Sequence, residues 1–213
     1  MPVNNEISAI AVFCASSQSI DAAYHNAAYE LGRVLATSNR ALIYGGGGIG
    51  LMGTLADAVA KHGGKVHGII TQTLINLEQA RQNCDELEIV PTMRDRKKRM
   101  ENLADAFIAL PGGIGTYEEL LEIIVGRLLA EHANPIILIN TKNYFQPLID
   151  LFNHTIKEGF MNPGIHQLFK VVPTPEEAIK ILNDHEKNHQ NGKNQTPATI
   201  PEWKLIPAKI KNE

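Results

Sequence analysis

The sequence predicts an α/β fold: a single Rossmann-like domain with a doubly wound parallel sheet and helices on both faces. Three observations carry this expectation. Short continuous apolar runs, such as AIAVFCA at residues 9–15, have the length of strands buried on both faces. Helix-period segments alternate with them, as right-handed βαβ crossovers require. Glycine-rich turns stand at strand-to-helix junctions, GGGGIGLMG at residues 45–53 and PGGIGTYEE at residues 111–119.

Each element has its own signal. The first strand, residues 9–15, ends at Ser16, Ser17, Gln18 and Ser19, and Asp21 opens a helix with apolar positions Tyr24, Ala28, Leu31, Val34 and Leu35. Ala41, Leu42, Ile43 and Tyr44 form a second strand. The first glycine turn feeds a helix through Leu55, Ala56, Val59 and Ala60, which Gly63 and Gly64 stop. A third strand covers residues 66–70. Residues 72–85 read as a loop with a short helix, and a fourth strand follows at residues 87–90. A basic helix, residues 94–103, leads into the fifth strand at Ala106, and a helix beginning at Thr116 leads to a sixth strand at residues 135–139. A helix at residues 145–157, a short strand at 169–172 and a last helix at 175–182 complete the domain.

From Asp184 the chain turns polar and amide-rich without an apolar period, the mark of a linker. The expected division is therefore a Rossmann-like domain, residues 1–183, and a polar linker and tail, residues 184–213. The tail carries the single Trp, Trp203, in an apolar patch at residues 200–206 that can pack on the body or on a second subunit.

Composition narrows the function. Hydrophobic residues make up 44% of the 213, enough for a full core, and a net charge of −3 offers no footprint for nucleic acid. Cys14 and Cys84 are too few for a disulfide framework, and Cys14 lies in an apolar run where a buried thiol is expected. The first residues lack the basic-then-apolar pattern of a signal peptide, and no apolar run approaches membrane-span length. A cytoplasmic protein with no nucleic-acid or membrane partner is expected.

In a parallel sheet all strand carboxyl ends share one edge, and ligands bind there. Four segments meet at that edge: Ser16 and Ser17, the turn with Gly46 and Gly47, the entry to the basic helix, and the turn at residues 111–119. In the last of these, Gly112, Gly113 and Gly115 permit positive φ or close approach, and Thr116 is placed to cap the helix. The first-turn amides carry partial positive charge that suits a phosphate, with Glu118 and Glu119 just behind. Such turns also occur for purely structural reasons, so the weight lies in convergence. The spacing of Gly45, Gly47 and Gly50 fits a dinucleotide fingerprint, but it follows the second strand, and no acidic residue ends the third. In the cluster Arg94, Arg96, Lys97, Lys98 and Arg99, helical geometry lets only some side chains reach the pocket. Arg96 and Lys97 are the candidates, with Arg99 behind them.

Taken in order, YGGGGIGLMG (residues 44–53), MRDRK (residues 93–97, beginning at Met93) and PGGIGTYEE resemble the LOG family of cytokinin riboside 5′-monophosphate phosphoribohydrolases, long labelled lysine decarboxylases. FCASS at residues 13–17 resembles the first-strand motif, and the likeness covers about residues 9–182. It implies hydrolysis of the N-glycosidic bond of an N6-substituted AMP, giving free base and ribose 5-phosphate. The catalytic arginine falls on Arg96 and the catalytic glutamate on Glu119. Nucleotide contacts fall on Lys97, on Gly112, Gly113, Ile114, Gly115, Thr116, Tyr117 and Glu118, and on Glu78 before the fourth strand. A homodimer or higher homo-oligomer is implied, with long helices packed together. The family commonly has His at Arg94, Thr-Trp at Val125-Gly126 and Pro at Thr71, differences that bear on base recognition.

The chemistry agrees with the residues. Glycosidic cleavage passes through an oxocarbenium-like state, which a carboxylate near C1′ stabilises while orienting or deprotonating the attacking water. Glu119 takes that role; Arg96 positions it and holds a ribose hydroxyl or phosphate oxygen through its fork of donors. No metal or cofactor is required, and His62, His67 and His132 read as structural or surface residues. The rivals are a general AMP or nucleotide 5′-monophosphate nucleosidase and, in a different class, a non-catalytic carrier of a phosphorylated ligand of the molybdenum-cofactor type. Lysine decarboxylation calls for a pyridoxal Schiff-base lysine, and no lysine stands out for it.

Overall fold

The central strand, β1 (Ala9–Phe13), sends Ile10 and Val12 into one core and Ala11 and Phe13 into another. Both faces of the sheet are therefore covered, which explains why the strand reads as a continuous apolar run. A computed structural model describes residues 7–77, 79–81 and 84–190. Within it β2 (Ala41–Tyr44), β3 (Val66–Thr71), β4 (Glu86–Val90), β5 (Ala106–Ala109), β6 (Ile136–Ile139) and β7 (Lys170–Val172) join β1 in one sheet, ordered β4-β3-β2-β1-β5-β6-β7. Every pairing in that sheet is parallel.

The helices are α1 (Ala22–Thr37), α2 (Gly50–Lys61), α3 (Leu74–Leu77), α4 (Met93–Leu103), α5 (Ile114–Leu128), α6 (Gln146–Lys157) and α7 (Pro175–Gln190). Leu31, Leu35, Leu55 and Leu182 bring α1, α2 and α7 onto one face, while Met100, Leu120, Ile124 and Phe152 bring α4, α5 and α6 onto the other. Each such buried side chain contributes roughly 1.5–3 kcal/mol. No described helix is long and apolar enough to cross a membrane.

The winding reverses between β1 and β5: the chain builds outward from β1 through β4, then returns to add β5 on the other side of β1. The loops leaving β1 and β5 consequently flank the crevice where such sheets bind ligands. Ala15 N donates to Pro111 O at 3.2 Å and binds the two loops together.

Two expectations are corrected here. The N-cap of α5 is Gly113, not Thr116, which sits buried inside the first turn. The last helix runs eight residues past Leu182, to Gln190. Its polar end is fixed by long-range bonds: Arg40 Nη2 donates to Asn183 Oδ1 at 2.8 Å and Glu186 Oε2 at 3.0 Å, and Ile7 N donates to Glu186 Oε1 at 2.8 Å. Glu78 and the Trp203 patch lie outside the described residues.

Candidate active site

The two glycine turns do different work. In the first, Gly46 and Gly50 have φ of 75° and 62°, and a Cβ at Gly48 or Gly50 would strike the carbonyl of Gln79 or Ser16. Gly48 N donates to Gln79 O at 2.9 Å, Arg81 N donates to Gly46 O at 3.0 Å, and Gly47 bridges Ala80. At the start of α2, Leu51 N and Met52 N both donate to Ala15 O, at 2.9 and 3.3 Å. Protein groups thus occupy the helix terminus that a dinucleotide pyrophosphate would need, which overturns what the GxGxxG spacing alone would imply.

In the second turn none of Gly112, Gly113 and Gly115 has positive φ. Gly112 is required because a Cβ there would strike Thr116 Oγ1. Around Gly113 and Gly115 a Cβ would meet nothing within 4 Å. Neither dihedral nor packing demands glycine there, and the bare backbone leaves room for a ligand to approach. The first intrahelical bond of α5 runs from Tyr117 N to Gly113 O at 3.1 Å, so the amides of Ile114, Gly115 and Thr116 have no earlier turn to bond. All three residues line a cavity of about 340 Å³ at the carboxyl edge of the sheet.

The same cavity contains Arg96 and Glu119. Helix α4 begins at an N-cap, Thr92, whose hydroxyl accepts from Asp95 N at 3.1 Å. That start turns Arg96 inward, and its side chain is only 5% exposed. Arg96 Nε donates to Ile69 O at 3.0 Å and Nη2 donates to Gly45 O at 2.9 Å. Gly45 must lack a side chain for this, since a Cβ would strike Nη2. With those donors fixed on the ends of β2 and β3, Nη1 faces Glu119 Oε1 at 3.9 Å and Met93 Sδ at 3.9 Å. Arg96 is thus more a fixed positive post than the open fork expected from sequence.

Lys97, its neighbour, does not line the cavity. Its ammonium pairs with Glu118 Oε1 and, at 2.5 Å, with Glu122 Oε2. Burial pulls the Lys97 pKa down, but the two carboxylates outweigh it and hold the pKa above the usual lysine value. Met93 and Glu118 line the cavity; Ser17, Gly46, Gly47, Gly112 and Tyr117 do not. Tyr117 turns to the opposite side of α5, stacking on Tyr144 with ring centroids 6.5 Å apart, and burial followed by the Tyr144 hydroxyl pushes its pKa up to about 12. Arg94 and Lys98 are exposed, and Arg99 donates to Glu88 Oε2 at 2.7 Å. Val125 and Gly126 do not wall this cavity: Gly126 backs onto His132, and Val125 faces outward.

The sequence reading did not assign the apolar side of the cavity. Phe13, Met52, Leu74 and Met100 join Met93 there, beside the buried thiol of Cys14. They come from β1, α2, α3 and α4, separate segments of the chain, and only the fold brings them together. Among the described residues no group of three or more His, Cys, Asp or Glu side chains is placed to hold a metal ion.

A doubly wound sheet whose carboxyl-edge cavity brings together a helix N-terminus, a guanidinium–carboxylate pair and an apolar wall defines a Rossmann-like α/β protein. Comparison with known proteins gives the family. A family model described as "Possible lysine decarboxylase" matches residues 52–182. The chain is 40% identical over 190 residues to the probable cytokinin riboside 5′-monophosphate phosphoribohydrolase LOGL2 of Oryza sativa subsp. japonica, covering 89% of this chain and 78% of that one. It is 39% identical over 190 residues to the cytokinin riboside 5′-monophosphate phosphoribohydrolase LOG1 of Arabidopsis thaliana, covering 89% of each. The chain belongs to the LOG family. Its fold is also similar to that of the molybdenum cofactor carrier protein of Chlamydomonas reinhardtii, with a TM-score of 0.63 at 18% identity over 84% of this chain and 98% of that one.

Proposed function

We propose that the chain is a phosphoribohydrolase that cleaves the N-glycosidic bond of an N6-substituted adenosine 5′-monophosphate. The observation that carries this reading is the shared cavity: the α5 amides, Arg96 and Glu119 line one space of about 340 Å³, with methionines and Phe13 opposite. The 5′-phosphate rests on the amides of Gly113, Ile114, Gly115 and Thr116, where the helix terminus favours an anion. The ribose then lies along the first turn of α5, beside Glu119, and the purine with its N6 substituent lies against the apolar wall.

In the reaction the C1′–N9 bond breaks and its electron pair leaves with the base. Water adds to C1′; its hydroxyl becomes the anomeric hydroxyl of ribose 5-phosphate and its proton balances the departing base. Glu119 stabilises the oxocarbenium-like centre and accepts or orients the water proton. Arg96, fixed by two backbone carbonyls, holds the carboxylate in place. Binding energy from the phosphate, remote from C1′, aligns the bond that breaks. Relatives of about 40% identity named as cytokinin riboside 5′-monophosphate phosphoribohydrolases support this assignment.

The working unit in this reading is a homodimer. Leu121 and Val125 of α5 and Phe160 beyond α6 are exposed large apolar side chains around a second cavity of about 710 Å³. Ile114, on the first cavity, is 86% exposed and lies on the same stripe of α5. A second copy packed on this stripe would cover the apolar groove and the rim of the catalytic cavity together.

The test is chromatographic detection of free base from N6-isopentenyl-AMP, AMP and the matching ribosides, with Glu119→Gln as control. Release from monophosphates alone, abolished in the variant, is the expected result. Equal rates with AMP would point to a general nucleosidase. No release by folded protein that still binds the monophosphates would favour a carrier.

A further inference from the structure

The Tyr144 phenol donates to Gly112 O at 2.6 Å, from a loop 32 residues away in sequence. Gly112 and Gly113 share a trans peptide unit, since no described bond is cis. In a planar trans peptide the C=O and the following N–H point in opposite directions. Fixing the Gly112 carbonyl toward Tyr144 therefore fixes the Gly113 N–H on the other side of that peptide, and Gly113 lines the cavity. We propose that Tyr144 is a positioning residue for phosphate binding: its hydroxyl sets the plane of the Gly112–Gly113 peptide and so aims the first amide of the anion cradle. This rests on the phosphate reading above.

The surroundings of Tyr144 hold it for that task. Its ring stacks on Tyr117 and meets Tyr24 edge-on at 5.8 Å and Phe145 edge-on at 5.4 Å. Phe145 is fully buried, and its amide donates to Asn140 Oδ1 at 2.7 Å, closing the loop that follows β6. Within that loop Lys142 and Asn143 have φ of 54° and 58°, a left-handed pair that is costly for residues with side chains and persists only when the surroundings enforce it. Lys142 Nζ reaches Asp21 Oδ2 at 2.5 Å, and Asp21 caps α1 by accepting from Ala23 N at 2.8 Å. The loop thus straps the β1 side of the crevice to the turn after β5, with the Tyr144 hydroxyl at the point of contact.

The experiment compares wild type, Tyr144→Phe and Tyr24→Phe in steady-state hydrolysis of N6-isopentenyl-AMP and in calorimetric binding of ribose 5-phosphate. Tyr144→Phe is expected to raise KM about tenfold with kcat changed less than about threefold, and to weaken ribose 5-phosphate by the same tenfold, about 1.4 kcal/mol. Tyr24→Phe, which removes a hydroxyl from the same aromatic cluster, should change neither. Unchanged KM and binding in Tyr144→Phe, or a fall in kcat alone, overturns the proposal. If wild type binds ribose 5-phosphate but releases no base, the hydrolase reading fails while the binding ratio still decides the role of Tyr144. If wild type binds no phosphorylated ligand, both fail. Should Tyr144→Phe not fold, the wild-type Gly113 amide resonance decides: it should move on titration with ribose 5-phosphate, and a static resonance refutes the proposal.

Discussion

Arg96 Nη1 and Glu119 Oε1 face each other at 3.9 Å in the cavity at the carboxyl edge of the sheet, on side chains that are 5% and 13% exposed. That separation exceeds the roughly 2.7–2.9 Å of a charge-assisted hydrogen bond. The guanidinium therefore attracts the carboxylate without being locked to it by this contact. Its firm anchors are the backbone carbonyls of Ile69 and Gly45, which fix where its positive charge sits beside the carboxylate.

The anchoring of Arg96 on the backbone separates the two residues experimentally. Arg96→Ala strips a buried donor from two carbonyls and should cost about 3 kcal/mol of stability as well as activity. Glu119→Gln keeps shape and should leave stability within about 1 kcal/mol while lowering base release by about a hundredfold or more. Thermal melts and product assays on both variants check the split. Equal destabilisation by both would mean that Glu119 serves the fold first.

The glycines make a second contrast. Gly115→Ala places a methyl in open space on a helix, so the melting temperature should hold or rise, with about 0.5–1 kcal/mol gained, while KM for the monophosphate increases. Gly50→Ala puts a methyl against the Ser16 carbonyl at φ 62° and should lower stability by more than about 1 kcal/mol. Calorimetric unfolding and KM for both variants decide it. A Gly115→Ala enzyme with unchanged KM would remove that amide from the phosphate site.

The contrast also marks what sequence reading reached. The apolar runs announced the strands because both faces of the sheet are buried, and the carboxyl-edge rule was enough to bring Arg96 and Glu119 into one cavity. What each glycine packs against was not legible, because the composition of a turn says nothing of its neighbours in the fold. Gly48 is explained only by Gln79, and Gly112 only by Thr116. Lys97 was a candidate beside Arg96 in the basic cluster and by the family likeness, yet a single helical step turns it to Glu118 and Glu122. The end of α7 was missed because its last turns are held by polar bonds from Arg40 and Ile7, which leave no apolar period.

His132 gives the fold a pH dependence of defined sign. Burial, then the nearby Arg127, lowers its pKa below the usual 6.5, against a raising effect from Ile123 O, Glu101 and Glu131. Its Nε2 lies 2.9 Å from Ile123 O, and its ring meets Phe107 edge-on at 5.2 Å. The unfolded chain therefore binds a proton near pH 6.5 that the folded chain resists, and stability falls as pH drops below that value. His132→Gln should show a shallower decline in melting temperature between pH 7 and pH 5 than wild type. An imidazole resonance for His132 titrating above 6.5 would contradict the sign.

The apolar stripe on α5 carries the last expectation. Val125 is 48% exposed and Phe160 87% exposed, both on the 710 Å³ groove, and large side chains of this kind seldom stay bare in contiguous patches. If a second copy covers them, a charge placed there must lose its hydration on association and disfavours the interface. On that reading wild type is a dimer at micromolar concentration and Phe160→Asp and Val125→Asp are each monomers, read by light scattering, with unchanged circular dichroism. Because Ile114 lies on the same stripe and on the cavity rim, the monomeric variants should also bind the monophosphate several-fold more weakly. Dimers that survive both substitutions would move the interface to another face and release Ile114 from any role in it.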